Sequence, residues 1–307
     1  MGETINIGVV LVTYNRLDTL KKAIKSYDVQ TKKPQYILIV NNASSDGTLE
    51  YLNQWFCIES GYKKIVVNLD KNNGGSGGFY EGLLRAEQMD AEWIWVSDDD
   101  AFPYENAFEE LENYILKNIH SIQEVSAVCG MVINNGKIDI DHRKIIQQHG
   151  AIIKVRKAGE SMYVSDFEIN AFSYVGTIIN KEKLLESGLP EKEYFIWNDD
   201  TEHSLRLSKK GKIICVPDIK IQHDTKCENK TTLWKAYYGC RNTAYTYKKH
   251  FSKMGYKFFC YSTLFKAYIK IILRYNVEFS KMQICGIKDA EKNKLGIHKK
   301  YKPGWSP

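Results

Sequence analysis

The sequence predicts an α/β fold, in which a mixed, mainly parallel sheet is flanked by helices and followed by a C-terminal helical extension. Short apolar runs rich in β-branched residues alternate with amphipathic segments over the first hundred residues, and the pattern is helical after residue 233. Such alternation is typical of a parallel sheet covered on both faces. With 307 residues, 43% of them hydrophobic, the chain can bury a core without disulfides, which excludes a disordered or collagen-like chain.

Local patterns predict the individual elements. The run INIGVVLV at 5–12 suits a strand buried on both faces, whereas Leu17, Leu20 and Ile24 share one face of a helix. Strands are predicted at 5–12, 36–40, 64–69, 93–97 and 213–216, with short ones within 127–133, 149–155 and 172–180. Helices are predicted at 18–26, 48–55, 181–186 and 201–209, from the end of the glycine-rich segment 72–78 through 89, and from 233 until the pattern frays near 287.

Charge is distributed unevenly along the chain. Residues 226–307 contain 18 Lys and Arg against four Asp and Glu, a balance of +14, so the first 225 residues carry −8 of the overall +6. We therefore expect a mildly acidic main domain at 1–225 and a basic, aromatic-rich helical region at 226–307. That region is predicted either to contact an anionic membrane surface or to be a subdomain whose lysines face water. Nucleic acid is not expected as a partner, because no binding motif accompanies the charge.

Several features favour a cytoplasmic protein, free or at the inner face of a bacterial plasma membrane. The N-terminus lacks a basic stretch before its apolar run and a cleavage site after it. No uncharged apolar stretch reaches the roughly 18 residues of a membrane span. The seven cysteines form no CxxC pair and fit reduced thiols.

The candidate functional motifs all follow predicted strands. VTYNR at 12–16 follows the first strand, Asn41–Thr48 the second, the glycine-rich segment the third and Asp98-Asp99-Asp100 the fourth. Because the loops after parallel strands meet at one edge of the sheet, these motifs are expected to line one cleft.

The acidic triplet is the centre of this cleft. Carboxylates two residues apart at the end of a strand can reach one hard cation, such as Mg²⁺ or Mn²⁺. Three adjacent aspartates repel one another unless a cation or strong hydrogen-bond donors offset their charge. A solvated acidic turn is the alternative, and the preceding strand WIWVS and the glycine-rich segment make it the weaker one.

Two further motifs lie outside the first half of the chain. Asp199 and Asp200 begin a predicted helix after the apolar residues 194–197, so one can cap the helix while the other acts as a general base. His223 comes just after a strand, and as a lone histidine it is either structural or a metal ligand.

Taken together, these motifs resemble the inverting glycosyltransferases of family 2, which have the GT-A nucleotide-diphospho-sugar fold. The resemblance covers residues 5–249. It rests on VVLVTYNR, VQT at 29–31, IVNNASSDGT, NNGGSGGFYEGL, WIWVSDDDA, GLPEKEYFIWNDDTEHSLRL and YYGCRNTAY, in that order.

The resemblance implies a role for each matching residue. Asp200 would deprotonate the acceptor hydroxyl, and Asp98, Asp100 and His223 would hold Mn²⁺ or Mg²⁺. The donor nucleotide-sugar would lie against Thr13, Asn15, Arg16, Asn42, Asp46, Asn73, Gly74, Gly75, Asp98, Asp99, Trp197 and Asp199. Asn41 stands where many members carry an Asp that reads the base, which leaves recognition of uracil against thymine open.

The string SDDDA, with FIWNDDTE, is most similar to family members that transfer galactofuranose or rhamnose in bacterial surface polysaccharide synthesis. The resemblance implies UDP-galactofuranose as the first candidate donor, dTDP-rhamnose as the second, and a glycan or lipid-linked glycan as acceptor. Two other classes stay open. A sugar nucleotidyltransferase would normally show a glycine- and Arg/Lys-rich signature by its first strand, and a non-catalytic sugar-nucleotide binding module would leave Asp200 idle.

Overall fold

The computed structural model of the chain describes residues 5–224 and 233–306. Four parallel strands form one half of its main sheet, in the order β4-β1-β2-β3. These strands are β1 (Ile7–Thr13), β2 (Tyr36–Asn41), β3 (Lys63–Asn68) and β4 (Trp93–Asp98), and the helices between them are α1 (Leu17–Asp28), α2 (Thr48–Cys57) and α3 (Gly74–Ala86). The predicted alternation of strand and helix is confirmed.

The second half of the sheet is mixed. The elements that follow β4 in the chain are β5 (Ala101–Pro103), α4 (Ala107–Lys117), β6 (Val125–Asn134), β7 (Lys137–Ile138), β8 (Arg143–His149), β9 (Ile152–Lys157), β10 (Phe167–Ile169), β11 (Ala171–Phe172), β12 (Thr177–Asn180), α5 (Lys181–Ser187), α6 (Asp199–Leu207) and β13 (Lys212–His223). β12 runs antiparallel between β4 and β6, and the sheet continues through β13 to β10. A separate three-stranded sheet has the order β11-β8-β9. The short strand predicted within 149–155 corresponds to β9, which begins at Ile152 after Gly150 turns the chain from β8 at a φ of 57°.

Alternate side chains of β1 enter two different cores. Val9 and Leu11 pack with the core that includes α1, α2 and α4, whereas Val10 and Val12 pack on the opposite face with α3. This two-sided burial explains the continuous apolar run of the strand.

The glycine-rich segment is mostly helix, which corrects the loop predicted at 72–78. α3 begins at Gly74. Its glycines let the helix approach the sheet closely, since a Cβ on Gly78 would lie 2.5 Å from Val12 and one on Gly82 would lie 2.5 Å from Val10. Close packing against β1 therefore outweighs the low helix propensity of glycine.

The C-terminal region forms three helices, α7 (Trp234–His250), α8 (Lys253–Ile272) and α9 (Val277–Glu291). α9 ends at Glu291, close to the predicted end of the helical pattern near residue 287, and beyond it Tyr301 packs against Tyr237 of α7. Within the described ranges, no helix is both long and apolar enough to cross a bilayer. The predicted domain boundary between residues 225 and 226 lies outside those ranges.

A buried ionic cluster joins α7 to α6. The Glu202 carboxylate on α6 is fully buried and contacts Arg206, Lys249 and His250, with nitrogen–oxygen distances of 2.9–3.1 Å. Burial alone would raise the pKa of Glu202, but the hydrogen bond from His250 and the charge of Arg206 hold that pKa well below its usual value.

Candidate active site

A cavity of about 600 Å³ opens where the carboxyl ends of β1, β2 and β4 meet. Its lining comes from the strand ends, from the start of α3 and α6, and from α7. The lining residues are Val12, Thr13, Tyr14, Arg16, Asn42, Asn72, Gly74, Gly75, Phe79, Asp98, Asp99, Asp100, His142, Ser173, Tyr174, Val175, Phe195, Ile196, Trp197, Asp199, Asp200, His223, Trp234, Lys235 and Pro303. One cavity thus brings together the acidic triplet and the acidic pair, which lie a hundred residues apart in sequence.

Three of the predicted donor-binding residues do not line this cavity. The Asn15 side chain accepts a hydrogen bond from the Ser45 amide, at 2.7 Å. The Asp46 carboxylate accepts hydrogen bonds from the Leu17 amide, at 2.9 Å, and from the Thr48 hydroxyl. These contacts tie the loops after β1 and β2 to each other. Asn73 lines an adjacent pocket instead.

Asn42 supports the entry to α3. Its side-chain oxygen accepts a hydrogen bond from the Asn73 amide, at 2.9 Å, and its side-chain nitrogen donates to the Gly74 carbonyl, at 2.8 Å. Asn41, whose identity bears on recognition of the base, is buried and donates to the Asn68 side chain, at 3.0 Å. Asn41 therefore joins β2 to β3 in this structure.

The acidic triplet is held by side chains of the loop after β1. Thr13 donates a hydrogen bond of 2.6 Å to Asp99, and Arg16 contacts both Asp99, at 3.2 Å, and Asp100, at 2.5 Å. Burial raises the pKa of Asp99 to about 6, against the opposing effects of Arg16 and Thr13. Burial, together with the charges of Asp100 and Asp99, raises the pKa of Asp98 well above its usual value. A negative charge on Asp98 is therefore costly, and the nearby charge of Arg16 offsets only part of that cost.

His223 lies beside the triplet. Its Nε2 is 3.4 Å from Asp100, and its Nδ1 is buried and has no hydrogen-bond partner among the described residues. Burial would raise the pKa of Asp100, but its hydrogen bond with His223 and the charge of Arg16 lower it. One carboxylate and one imidazole thus already meet at a buried position.

A second histidine, His142, packs edge-on against His223, with ring centroids 4.9 Å apart. Its Nδ1 is 2.6 Å from the Ser173 hydroxyl, and its Nε2 is 3.3 Å from Asp139. One potential ligand atom from each of Asp139, His142 and His223 lies within 4.8 Å of the other two. His142 was missed in the sequence analysis, because nothing near it in sequence indicates that the start of β8 meets the end of β13.

The segment before the acidic pair has an unusual backbone. Phe195, Trp197 and Asn198 all have φ values of 66–67°, a left-handed region that bulky residues rarely adopt. Asn242 of α7 holds this segment. Its side-chain nitrogen lies 2.8–3.1 Å from the carbonyl oxygens of three residues, 194, 196 and 197.

The acidic pair follows directly, at the start of α6. Burial and the charge of Asp200 raise the pKa of Asp199. Burial also raises the pKa of Asp200, against the opposing charge of Lys144. Asp199 is almost fully buried, whereas Asp200 is only half-buried. Of the two, Asp200 is therefore the carboxylate that a molecule in the cavity reaches more easily.

Residues 8–175, more than half of the chain, match the glycosyl transferase family 2 model. The chain belongs to glycosyltransferase family 2. This confirms the family and the class of enzyme that the motifs resembled. The match ends at residue 175, so Trp197, the acidic pair and His223 of this family 2 chain all lie beyond it.

One curated relative of this family 2 chain is the galactofuranosyltransferase GlfT1 of Mycobacterium tuberculosis (strain ATCC 25618 / H37Rv), which is 28% identical over 220 residues. That match covers 68% of this chain and 66% of the relative, so the chain spans just under two thirds of the relative's length.

Two solved structures are similar to this family 2 chain in fold. GalNAc-T7 with UDP, GalNAc and Mn²⁺ has a TM-score of 0.65 and 16% identity, over 94% of this chain and 56% of that one. Residues 1–349 of S. aureus TarS in complex with UDP have a TM-score of 0.61 and 15% identity, over 93% of this chain and 80% of that one. These likenesses, with the family match and the sheet order, confirm the predicted GT-A fold.

Proposed function

We propose that this chain is an inverting glycosyltransferase of cell-surface polysaccharide synthesis, which moves a sugar from a nucleotide-diphospho-sugar to a hydroxyl of a glycan or lipid-linked glycan. UDP-galactofuranose is the first candidate donor, supported by the likeness to a galactofuranosyltransferase, and dTDP-rhamnose is the second. The observation that carries the proposal is that two separate acidic groups, Asp98–Asp100 and Asp199–Asp200, line one cavity. Neither a non-catalytic binding module nor a nucleotidyltransferase would explain why the acidic pair Asp199–Asp200 lines the same cavity.

The residues beside the triplet fit a divalent cation. Asp98 and Asp100 offer carboxylate oxygens, and the buried nitrogen of His223 has no partner among the residues the structure describes. Oxygen ligands with one imidazole suit Mn²⁺ or Mg²⁺. A cation held by these three residues would supply charge that stabilises the departing nucleotide diphosphate. Arg16, which contacts Asp99 and Asp100, would share the Asp100 carboxylate with the cation.

Asp200 is proposed as the general base. The raised pKa of this half-buried carboxylate makes it a better proton acceptor than an ordinary aspartate. It takes the proton of the acceptor hydroxyl as the oxygen attacks the anomeric carbon, the bond to the diphosphate breaks, and the configuration inverts.

The acceptor is proposed to be carried on a membrane. The basic C-terminal region, with its balance of +14 at 226–307, favours contact with an anionic surface. Trp234 and Lys235 of that region line the cavity, where they can contact an acceptor.

The test is Asp200→Asn, compared with Asp218→Asn at an exposed position outside the cavity. We expect Asp200→Asn to lower transfer by at least about 100-fold, because the amide cannot take the proton. Donor binding, read as the shift in Tm that each nucleotide sugar causes in the presence of Mn²⁺, should persist. The control variant should match the wild type.

Transfer is measured by release of UDP or dTDP over a panel of nucleotide sugars, with Mn²⁺ or with EDTA. Normal turnover by Asp200→Asn would refute the assignment of the base. Release of pyrophosphate would indicate a nucleotidyltransferase, and donor binding without any turnover would indicate a binding module. Full activity in EDTA would exclude the proposed metal.

A further inference from the structure

The outward face of α8 is a stripe of large apolar side chains. Its members follow one another at alternating intervals of four and three residues, which places them on one side of a helix. They are Met254, Phe258, Tyr261, Phe265, Tyr268 and Ile272, and each is between 48% and 78% exposed. The apolar stripe, as we call these six residues, therefore points into solvent along the whole helix.

Within the described chain, the apolar stripe does not contribute to the packing of α8 on the rest of the protein. The opposite side of α8 packs through Cys260 and Ala267, which are buried, and Cys260 belongs to a cluster with Ala244 of α7 and Ile287 of α9. Nine of the 24 large hydrophobic side chains that are exposed in the described chain lie between residues 254 and 275. Single exposed hydrophobics are ordinary, but a contiguous patch of this kind marks a binding surface.

Lysines border the apolar stripe on both sides. At 3.6 residues per turn, Lys257 lies on one flank and Lys266 on the other, and both are exposed. Lys253 and Lys270 lie further round, and α8 contains no acidic residue. An apolar, aromatic centre between two basic edges matches a bilayer surface, with acyl chains beneath anionic headgroups.

The same charges argue against a second copy of the chain as the occupant. Two apolar stripes packed face to face would bring the lysines of one α8 close to those of the other. Since α8 carries no carboxylate to pair with them, the contact would juxtapose like charges. Anionic lipid offers the opposite charge instead.

We propose that α8 lies flat in the interface of an anionic membrane, with the apolar stripe inserted between lipids and its lysines at the headgroups. Membrane binding by α8 does not depend on the proposed function. Its role does rest on that function, because binding would hold the enzyme close to a membrane-borne acceptor. α7 connects the two sites, since it packs against α8 and also contributes Trp234 and Lys235 to the cavity.

The test is co-sedimentation of the full chain with vesicles of phosphatidylcholine, with or without about one third phosphatidylglycerol. The full chain should co-sediment with the anionic vesicles but not with the neutral ones, and added salt should weaken its binding. The double variant Phe265→Ser/Ile272→Ser should lower binding by at least about tenfold, and Lys257→Glu/Lys266→Glu should do the same. Their Tm values should stay at the wild-type value, because these side chains are exposed.

The matched control is Phe56→Ser/Ile58→Ser, which removes two apolar side chains at the end of α2 that are also more than half exposed, and it should bind as the wild type does. Equal binding by the α8 variants, or no binding by the wild type, would overturn the proposal. A dimer in solution that Phe265→Ser/Ile272→Ser dissociates would assign the apolar stripe to a second copy and overturn it too.

Vesicle binding is measured without donor or acceptor, so it stands or falls apart from the transfer reaction. An α8 variant that no longer binds vesicles should still transfer sugar to a water-soluble acceptor. Vesicle binding without transfer from any donor would contradict the proposed function and leave the membrane site intact.

Discussion

Asn242 is the side chain whose removal should lower both activity and stability, because it holds the segment before the acidic pair. Its amide nitrogen lies 3.1, 3.0 and 2.8 Å from the carbonyl oxygens of Tyr194, Ile196 and Trp197. Its amide oxygen accepts a hydrogen bond of 2.9 Å from Nε of Arg241, which fixes the orientation of the amide. Both side chains are buried. Asn242→Ala would remove every one of these contacts.

The size of the effect follows from the number of groups left unpaired. A buried carbonyl that loses its partner costs about 1–3 kcal/mol. The Tyr194 carbonyl keeps hydrogen bonds from Arg241 and from the Ile196 amide. The carbonyls of Ile196 and Trp197 lose the Asn242 side chain, which amounts to about 2–6 kcal/mol if the backbone does not move. The segment also holds three left-handed residues, each storing about 1–3 kcal/mol of strain. We therefore expect it to relax, so that the measured loss of stability falls near the lower end of the range.

Relaxation of this segment should move the acidic pair. Asp199 and Asp200 follow it directly, and a displacement near 1 Å costs about 100-fold in rate. Asn242→Ala should therefore lower kcat by about that factor. The change in KM for the donor should be smaller, because most of the proposed donor contacts come from strand ends that do not depend on Asn242.

The assay pairs steady-state nucleotide release with urea unfolding. The matched control is Asn118→Ala, which also removes an amide that donates to a carbonyl, that of Tyr114 at 2.8 Å, but outside the cavity. It should lose little stability and no activity. If Asn242→Ala keeps the wild-type kcat while it loses stability, the segment does not depend on Asn242 for its catalytic position, and the reasoning is refuted.

Two further predictions concern stability. Gly74→Ala would place a Cβ 1.8 Å from the Phe195 carbonyl oxygen at a φ of 73°, so it should lower the free energy of unfolding in urea by more than about 2 kcal/mol. The control Gly159→Ala, where a Cβ meets nothing within 4 Å, should leave stability unchanged. Equal losses in the two variants would contradict this prediction. Glu202→Gln should cost about 3–5 kcal/mol of unfolding free energy at neutral pH. Because the folded-state pKa of Glu202 is lowered, its stabilising contribution is present above the unfolded value of about 4.3 and fades as the pH falls below it. A difference in unfolding free energy between wild type and variant that stays constant into acid would argue against this.

The parts of the site that the sequence predicted are those set by neighbours in the chain. The acidic triplet follows the buried strand β4, and the motifs after β1 and β2 follow strands whose apolar runs are unmistakable. The loops after parallel strands must meet at one edge, so the sequence alone was enough to bring Thr13, Asn42 and Asp98 to one cavity.

The parts that were not predicted depend on contacts between distant segments. His142 reaches His223 only because β8 packs near the end of β13, and a lone histidine has no periodic pattern that would mark it. Glycine disfavours helices in isolation, so the sequence predicts a loop at the start of α3. The structure has a helix there, because the absence of a Cβ at Gly78 and Gly82 lets the helix pack closely against β1. The chain after Ile287 carries many lysines, which concealed the packing of Tyr301 against α7.

The two halves of the proposed active site are therefore built in different ways. The strand ends, which supply most of the proposed donor contacts, lie within residues 8–175, the range of the family match, whereas Trp197 and Asp199 lie beyond it. The acidic pair lies outside that range, on a strained segment that Asn242 of α7 holds in place, and α7 also supplies Trp234 and Lys235 to the cavity. Substitutions in α7 can thus reshape the side of the cavity that faces the acceptor without disturbing the strand ends. We infer that the C-terminal part of the chain selects the acceptor, whereas most of the proposed donor contacts come from the range that matches the family model.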